Sequence, residues 1–171
     1  MKNYFADLCR AVRQLRKNRR LCVIILAAAV AGTVIPRHIG IILTPSLDHR
    51  IFWLSRNPER VGRGDYVYFV DQALARKVGK PGTPDIFKRI QCDEGDILTV
   101  DAAKSFFCNG EFLGTAKDYS RQGEKMQYFE FNGKIPQDSM FVMGEHRDSY
   151  DSRYFGFVDK SRVRARLYPI F

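Results

Sequence analysis

The segment Leu43-Thr44-Pro45-Ser46-Leu47 stands between an apolar N-terminal stretch and a region of strand-forming residues. Proline and serine are ordinary turn residues, so the segment by itself predicts only a turn. A serine in this place can also be a nucleophile held at a membrane surface, provided that a base lies near it in the fold. Two later segments could supply its partners, Phe87-Lys88-Arg89-Ile90 and the polar run from Gly144 to Val158.

Length and charge limit the classes of protein. The chain has 171 residues, 45% of them hydrophobic, which predicts one domain with a core of its own plus an appendage. The net charge is +9, and a large part of the excess lies before residue 21, next to the apolar stretch. This placement favours a segment that flanks a membrane, with lipids as a partner, and it argues against binding of nucleic acid.

The N-terminal part is predicted to be a basic cytoplasmic segment, residues 1–20, and a membrane anchor, residues 21–42. In the first segment, apolar side chains recur at helical spacing among basic ones, which is typical of an amphipathic helix on a membrane surface. Leu21–Ile35 is uncharged but shorter than the roughly 20 residues that a spanning helix needs. The span can reach residue 42 if Arg37 and His38 extend toward the interface.

The basic residues before the apolar stretch predict a cytoplasmic N-terminus and place residues 43–171 outside the cytoplasm. Two alternatives remain open. A basic start, a short apolar stretch and the small residues 27–32 also fit a secretory signal peptide that is removed. The stretch could otherwise be a buried helix of a soluble protein.

Residues 43–171 are predicted to form a single, mostly β domain of short coiled antiparallel sheets. Asn109-Gly110 predicts a hairpin with a two-residue turn, and one or two helical turns are expected within 71–80. Strands are predicted at 51–54, 66–70, 86–91, 97–100, 106–108, 111–113, 128–131, 139–143 and 162–167. Trp53, in the first of these strands, is either a bilayer-surface anchor or ordinary core.

The four cysteines divide between two environments. Cys9 and Cys22 belong to the cytoplasmic and membrane parts and are expected to be reduced, whereas Cys92 and Cys108 belong to the outer domain, where disulfides persist. The latter two flank the predicted strand 97–100, so they form either a bridge between neighbouring strands or two buried thiols. Neither cysteines nor histidines have metal-ligand spacing, and we predict no metal and no cofactor.

Lys88 is the candidate base. It lies in an apolar strand, and a lysine buried there has a lowered pKa and can take a proton from a serine at neutral pH. A Ser–Lys pair of this kind needs no histidine. The run 144–158 has the composition of a solvated loop, but it also suits a buried charge network in which Asp148 and Asp151 accept from Arg147 and Arg153.

These residues resemble those of the type I signal peptidase family, membrane-anchored endopeptidases with a Ser–Lys dyad. Four segments match in order: Thr44-Pro45-Ser46-Leu47, Gly64–Phe69, Lys88-Arg89-Ile90 with Glu94-Gly95-Asp96, and Gly144–Val158. The most specific part is Asp151-Ser152-Arg153-Tyr154-Phe155-Gly156. The resemblance implies a signal-peptidase-like fold in a bacterial inner membrane, with a single membrane pass and the catalytic domain in the periplasm.

The resemblance also implies a role for individual residues. Ser46 is the nucleophile and Lys88 the general base. The Ser46 amide and the Thr44 hydroxyl form the oxyanion hole. Ser149, two residues before Asp151, matches the serine that orients the lysine amine. Asp151 and Arg153 are implied to form the ion pair that supports the loop next to the lysine.

Some residues depart from the family pattern. Asp48-His49-Arg50 replaces the proline-containing continuation of the nucleophile box, Glu94 stands where proline is usual, and Glu145-His146 replaces Asp-Asn. The last box is also one residue shorter than the common form. These departures and the compact length are more similar to the peptidases of conjugative transfer systems, the TraF-like branch, some of which join the ends of a pilin into a circle.

The resemblance implies that the substrate is an exported preprotein, and the TraF-like departures favour a conjugative prepilin, with small side chains one and three residues before the cleaved bond. An extended substrate could add as a strand along Ile39–Leu43. Two other functions remain open. One is a non-catalytic pilus or secretion assembly factor on the same scaffold, and the other is a soluble self-cleaving repressor, which the basic-then-apolar N-terminus opposes.

Overall fold

The computed structural model of the chain describes residues 18–42, 46–56, 58–71, 74 and 85–171. The amphipathic helix expected before residue 18, the Thr44 hydroxyl and most of the helical turns expected in 71–80 lie outside the described residues. The chain divides into two compact units, residues 1–39 and residues 40–171.

Helix α1 spans Arg19–His38, and its 20 residues are enough to cross a membrane. Its most apolar part has a mean hydropathy of 1.8, and none of that part is buried in protein. The predicted anchor continues to residue 42, whereas the helix ends at His38 and strand β1 occupies Ile39–Ile41. Isoleucine on both sides of Gly40 favours this extended backbone, because β-branched side chains lose rotamer freedom in a helix.

The second unit is built from short strands. After β1 come β2 (Ile51–Arg56), β3 (Tyr66–Val70), β4 (Asp85–Cys92), β5 (Ile97–Val100), β6 (Ser105–Cys108), β7 (Glu111–Thr115), β8 (Gly133–Lys134), β9 (Ser139–Met143), helix α2 (Ser152–Phe155), β10 (Val158–Asp159), a 3-10 turn (Lys160–Arg162) and β11 (Val163–Pro169). They form a seven-stranded sheet in the order β1-β2-β11-β3-β4-β9-β10 and a four-stranded sheet in the order β7-β6-β5-β8.

The prediction of a mostly β domain with short antiparallel strands is confirmed, as the pairs β3–β4, β4–β9 and β5–β6 illustrate. In a strand, successive side chains point to opposite faces, and β3 shows this alternation: Val67 and Phe69 are buried, and their neighbours are half-buried. At the predicted hairpin, Asn109 and Gly110 have φ of 49° and 84°, the left-handed backbone that a two-residue turn of this type requires.

One predicted strand is wrong. Residues 128–131 join no sheet, and the strand of this region is the two-residue β8. The Phe129 amide donates to the Arg153 carbonyl at 2.8 Å, and the rings of Phe129 and Phe131 pack edge-on against Phe157. These aromatic residues are therefore fixed by packing against the segment after α2, and not by a strand ladder.

A buried cluster joins the two sheets. Leu98 and Phe106 of the smaller sheet pack with Phe141 and Met143 of the larger one. Cys92 and Cys108 form a disulfide with a Cα–Cα distance of 5.6 Å, which links the end of β4 to β6. Their sulfurs lie close to a carboxylate oxygen of Asp96, but sulfurs bonded to each other offer no thiolate to a metal.

Trp53 and Tyr168 are two exposed aromatic residues of the larger sheet. Trp53 is 39% exposed and lies opposite Tyr168, which is 45% exposed, in the β2–β11 register. Trp53 is therefore not a residue of the closed core, which removes one of its two sequence interpretations.

Candidate active site

Lys88 lies on the inward side of β4. Lys88, Ile90 and Cys92 are buried in alternation with more exposed neighbours, as the two-residue period of a strand dictates. The lysine is only 5% exposed, although lysine is rarely buried in proteins. Removal of water disfavours the charged form of a buried lysine and favours the amine that can accept a proton.

The Lys88 amine contacts Ser149, as the resemblance implied. Lys88 Nζ donates to Ser149 Oγ at 2.7 Å, and the serine is 6% exposed. The two residues are 61 positions apart, and sheet order brings them together. β4 pairs with β9, with Arg89 opposite Met143, and the chain that leaves β9 at Gly144 continues into the segment that carries Ser149.

Ser46 is joined to the same segment through its main chain. Its carbonyl oxygen accepts hydrogen bonds from the amides of Glu145 at 2.8 Å and His146 at 3.3 Å. Gly144 allows this approach, since a β-carbon there would lie 2.2 Å from Ser149 Oγ and 2.7 Å from the Ser46 oxygen. The Ser46 carbonyl and the Ser149 hydroxyl thus both adjoin the face of Gly144 that lacks a side chain, and Lys88 contacts Ser149.

Asp151 and Arg153 form a buried ion pair beside Ser149. The guanidinium donates from Nε to Asp151 Oδ1 and from a terminal nitrogen to Oδ2, both at 2.8 Å. Asp151 also accepts from the Gly144 amide at 3.0 Å, and it caps α2 by accepting from the Arg153 amide. One carboxylate therefore fixes both the start of the Ser149 segment and the helix that follows it.

Arg153 extends this support to the smaller sheet. It donates to the carbonyl of Ser149 at 3.3 Å and to that of Thr115, at the end of β7, at 3.1 Å. Burial by itself lowers the pKa of Arg153, but the hydrogen bond and charge of Asp151 outweigh it, so the pKa is raised. The Arg153 guanidinium therefore keeps its charge at any physiological pH.

Asp148 does not pair with Arg147, and that part of the predicted charge network is wrong. Its carboxylate instead binds Lys117 and Arg121, the second at 2.7 Å, in the segment after β7. Hydrogen bonds from these two cations lower the pKa of Asp148 to about 2. The sequence-adjacent arginine is exposed, because consecutive residues of an irregular loop point in different directions.

Two clefts adjoin the Ser149 segment. A cleft of about 470 Å³ lies between 112–117 and 143–147, and one of about 850 Å³ lies between 117–127 and 148–154. The second of these clefts includes Ser149 in its wall.

Four residues of this arrangement were not selected from the sequence as site residues: Asp48, Tyr66, Gly144 and Glu145. The Glu145 carboxylate accepts from the Asp48 amide and from the Tyr66 hydroxyl. The sequence does carry one signal for Glu145, the substitution of Glu145-His146 for the Asp-Asn usual in the family, but this substitution does not predict which groups the carboxylate binds.

Comparisons with known proteins identify the family of the chain. The sequence model of the family described as "Signal peptidase, peptidase S26" matches residues 17–171. The probable signal peptidase I-2 of Synechocystis sp. (strain ATCC 27184 / PCC 6803 / Kazusa) is 32% identical over 125 residues, 71% of this chain and 52% of that protein. The chain thus spans about half the length of that relative.

A solved signal peptidase I from Enterococcus faecalis V583 aligns with 64% of the chain and 98% of its own, at 23% identity and a TM-score of 0.42. The chain belongs to the signal peptidase family, peptidase S26. The resemblance to the type I signal peptidase family that the sequence indicated is thereby confirmed.

Proposed function

We propose that the chain is a membrane-anchored serine endopeptidase that removes a signal or terminal peptide from exported preproteins, with Ser46 as nucleophile and Lys88 as general base. The observation that carries the proposal is the buried Lys88 amine, which contacts Ser149 beside the main chain of Ser46. A buried lysine at hydrogen-bond distance from a neutral hydroxyl suits a base better than a structural cation.

In the proposed acylation step, Ser46 Oγ attacks the carbonyl carbon of the substrate while its proton passes to Lys88 Nζ. The negative charge that forms on the carbonyl oxygen is stabilised by the Ser46 amide and the Thr44 hydroxyl. The C–N bond then breaks, and Lys88 returns the proton to the leaving amine. In deacylation, Lys88 takes a proton from a water molecule while the water oxygen bonds to the acyl carbon. The bond between that carbon and Ser46 Oγ then breaks, and Lys88 returns the proton to Ser46 Oγ.

Ser149, Asp151 and Arg153 support this chemistry and do not take part in it. Ser149 accepts from Lys88 and directs its amine, while the ion pair fixes the segment that carries the serine. Rigid support is the proposed reason for a charged pair at a site where Asp151 is fully buried.

The proposed substrate reaches the site from the membrane. Helix α1 is suited to anchor the protein in the bacterial inner membrane, with the basic N-terminal residues in the cytoplasm. β1 follows the helix and is an end strand in the order of the larger sheet. An extended preprotein segment is therefore proposed to add beside β1, with small side chains one and three residues before the cleaved bond.

We further propose a conjugative prepilin as the substrate. The support is that Asp48-His49-Arg50 and Glu145-His146 depart from the general family pattern and are more similar to the TraF-like branch. In such a substrate the acyl-enzyme at Ser46 can be attacked by an amine in place of water. When that amine is the amino terminus of the same pilin, its nitrogen bonds to the carbonyl carbon and its proton passes to Lys88. The bond between that carbon and Ser46 Oγ breaks, Lys88 returns the proton to Ser46 Oγ, and the pilin becomes a ring.

Intact mass spectrometry of a candidate prepilin or preprotein, co-expressed with the full chain, tests the proposal. The substrate should lose the mass of a terminal peptide with the wild type and remain uncut with Ser46→Ala or Lys88→Ala. The exposed residues Ser161 and Lys134 provide matched controls, and Ser161→Ala and Lys134→Ala should process normally. A further loss of one water would indicate ring closure.

If Ser46→Ala or Lys88→Ala is folded and still processes the substrate, the dyad is wrong. If the wild type leaves every candidate uncut in membranes where it is folded, the non-catalytic assembly factor becomes the better account.

A further inference from the structure

We propose that Glu145 is a positioning residue that holds the turn of Ser46 at its working distance from Lys88. The inference rests on the dyad proposed above. It concerns a side chain that takes no part in bond making, so its effect must come through the residues that it binds.

The carboxylate of Glu145 is a junction of three hydrogen-bonding groups. Its Oε2 accepts from the Asp48 amide at 2.9 Å, its Oε1 accepts from the Tyr66 hydroxyl at 2.6 Å, and the guanidinium of Arg89 lies 3.5 Å from Oε1. The Glu145 side chain is 14% exposed, so these protein groups replace most of its water. A carboxylate is an acceptor only, and it therefore suits a place where three donors converge.

Glu145 holds the Ser46 turn at two points. Its main-chain amide donates to the Ser46 carbonyl at 2.8 Å, while its side chain accepts from the amide of Asp48, two residues further along. One residue thus binds both ends of the segment 46–48. A rotation of this turn, which would swing the Ser46 hydroxyl, has to break one bond or the other.

The other end of the Glu145 segment is fixed to the lysine. The Ser149 amide donates to the His146 carbonyl at 2.9 Å, which closes a tight turn, and Ser149 Oγ accepts from Lys88 Nζ. The segment 145–149 therefore connects the turn of Ser46 to the amine of Lys88. Movement of Glu145 would therefore change the spacing between Ser46 and Lys88, the proposed nucleophile and base.

Tyr66 and Arg89 hold the carboxylate against the main sheet. They lie opposite each other in the β3–β4 register, the Arg89 guanidinium stands 5.3 Å from the centre of the Tyr66 ring, and Arg89 directly follows Lys88. Burial, then the hydrogen bond and charge of Glu145, raise the pKa of the Tyr66 hydroxyl to about 12. The phenol thus remains a donor to Glu145 throughout the pH range in which the enzyme would work.

The test measures kcat and KM of the full-length protein in detergent micelles, with a purified preprotein that carries alanine one and three residues before the cleaved bond. Glu145→Ala should lower kcat on the order of 100-fold, the loss expected when reacting groups are displaced by about 1 Å. KM should stay within about twofold, because Glu145 is not proposed to contact substrate.

Two milder variants guard against a failure of Glu145→Ala to fold. Glu145→Gln keeps the shape but turns an NH₂ group toward donors, so kcat should fall less than with alanine. Tyr66→Phe removes one of the three donors and should give a smaller loss again. Glu111→Gln is the control, since its ion pair with Arg63 is exposed and lies outside the network, and its kcat should be unchanged.

A double variant separates positioning from general stability. If Tyr66 acts through Glu145, Tyr66→Phe in the Glu145→Ala background should lower kcat no further. A spectroscopic titration adds an independent readout. The tyrosine ionisation that is missing from Tyr66→Phe belongs to Tyr66, and this ionisation should occur at lower pH in Glu145→Gln than in the wild type. Melting temperatures are measured for every variant.

Normal kcat in folded Glu145→Ala or Glu145→Gln, with Ser46→Ala inactive, would overturn this inference alone. So would a full additional loss from Tyr66→Phe, or a loss of kcat that cooling restores in step with the melting temperature. Processing by folded Ser46→Ala would overturn the dyad and this inference together.

Discussion

Lys88 Nζ lies 2.7 Å from Ser149 Oγ, and both side chains are almost entirely buried. The hydroxyl is a neutral partner, so it can direct the amine without holding it in the charged form, as a carboxylate would. The function of Ser149 should therefore be visible in turnover and not in substrate binding.

Ser149→Ala removes this partner and little volume. We expect kcat to fall on the order of 100-fold, because the amine loses its direction toward the proposed nucleophile. KM and the melting temperature should change little. The measurement is cleavage of a preprotein by the purified full-length variant, with Ser161→Ala as the control. An unchanged kcat would show that other contacts direct Lys88.

The ion pair of Asp151 and Arg153 predicts a large effect on stability. Asp151→Ala leaves the guanidinium of Arg153 buried without its carboxylate, and we expect the free energy of unfolding to fall by about 3–5 kcal/mol. The exposed pair Arg63–Glu111 is the comparison, and Glu111→Ala should change it by less than about 1 kcal/mol. Urea unfolding of both variants measures the difference, and equal losses would contradict the account.

Asp148 predicts a pH dependence for the segment that it ties to Lys117 and Arg121. Its pKa is about 2 in the folded protein, below its ordinary value of 3.8. A lowered pKa means that the ion pairs stabilise the fold above the unfolded value and that this stabilisation is lost as the pH falls toward 2.

The segment 117–127 should therefore stay attached at pH 5 and loosen between about pH 4 and pH 2. Side-chain NMR gives the Asp148 midpoint directly, and hydrogen exchange of 117–127 follows the loosening. In Asp148→Asn the exchange should already be fast at pH 5. A midpoint near 3.8 in the wild type would mean that the cations do not bind Asp148 in solution.

The sequence was sufficient where one local pattern decides the structure. Strands β3 and β9 have the bounds that their alternating and β-branched residues predicted, and Asn109-Gly110 forms its hairpin turn. Residues 128–131 are also rich in aromatic side chains but do not form a strand, because the rings of Phe129 and Phe131 pack against Phe157 and the Phe129 amide donates to the Arg153 carbonyl. Tertiary packing decides whether such a segment pairs with a strand or packs against other side chains, and a short stretch of sequence does not show that packing.

The site divides in the same way. The family pattern predicted two contacts that the structure contains, Lys88 with Ser149 and Asp151 with Arg153, because both contacts belong to the pattern itself. The partners of Asp148 and the junction at Glu145 could not be deduced, because each depends on where a separate segment lies. In both cases the partner is supplied by residues that have no motif of their own.

The disulfide predicts a last effect, on stability. Cys92 and Cys108 are 16 positions apart, and closing a loop of that length in the unfolded chain is worth about 3 kcal/mol. Reductant should therefore lower the melting temperature of the wild type but not that of the Cys92→Ser/Cys108→Ser variant, which should already melt lower. Cys22→Ser, which changes a cysteine outside this disulfide, should respond to reductant as the wild type does. A wild type that gains two titratable thiols on reduction yet keeps its melting temperature would mean that packing around β4 and β6, and not the bond, holds the two sheets together.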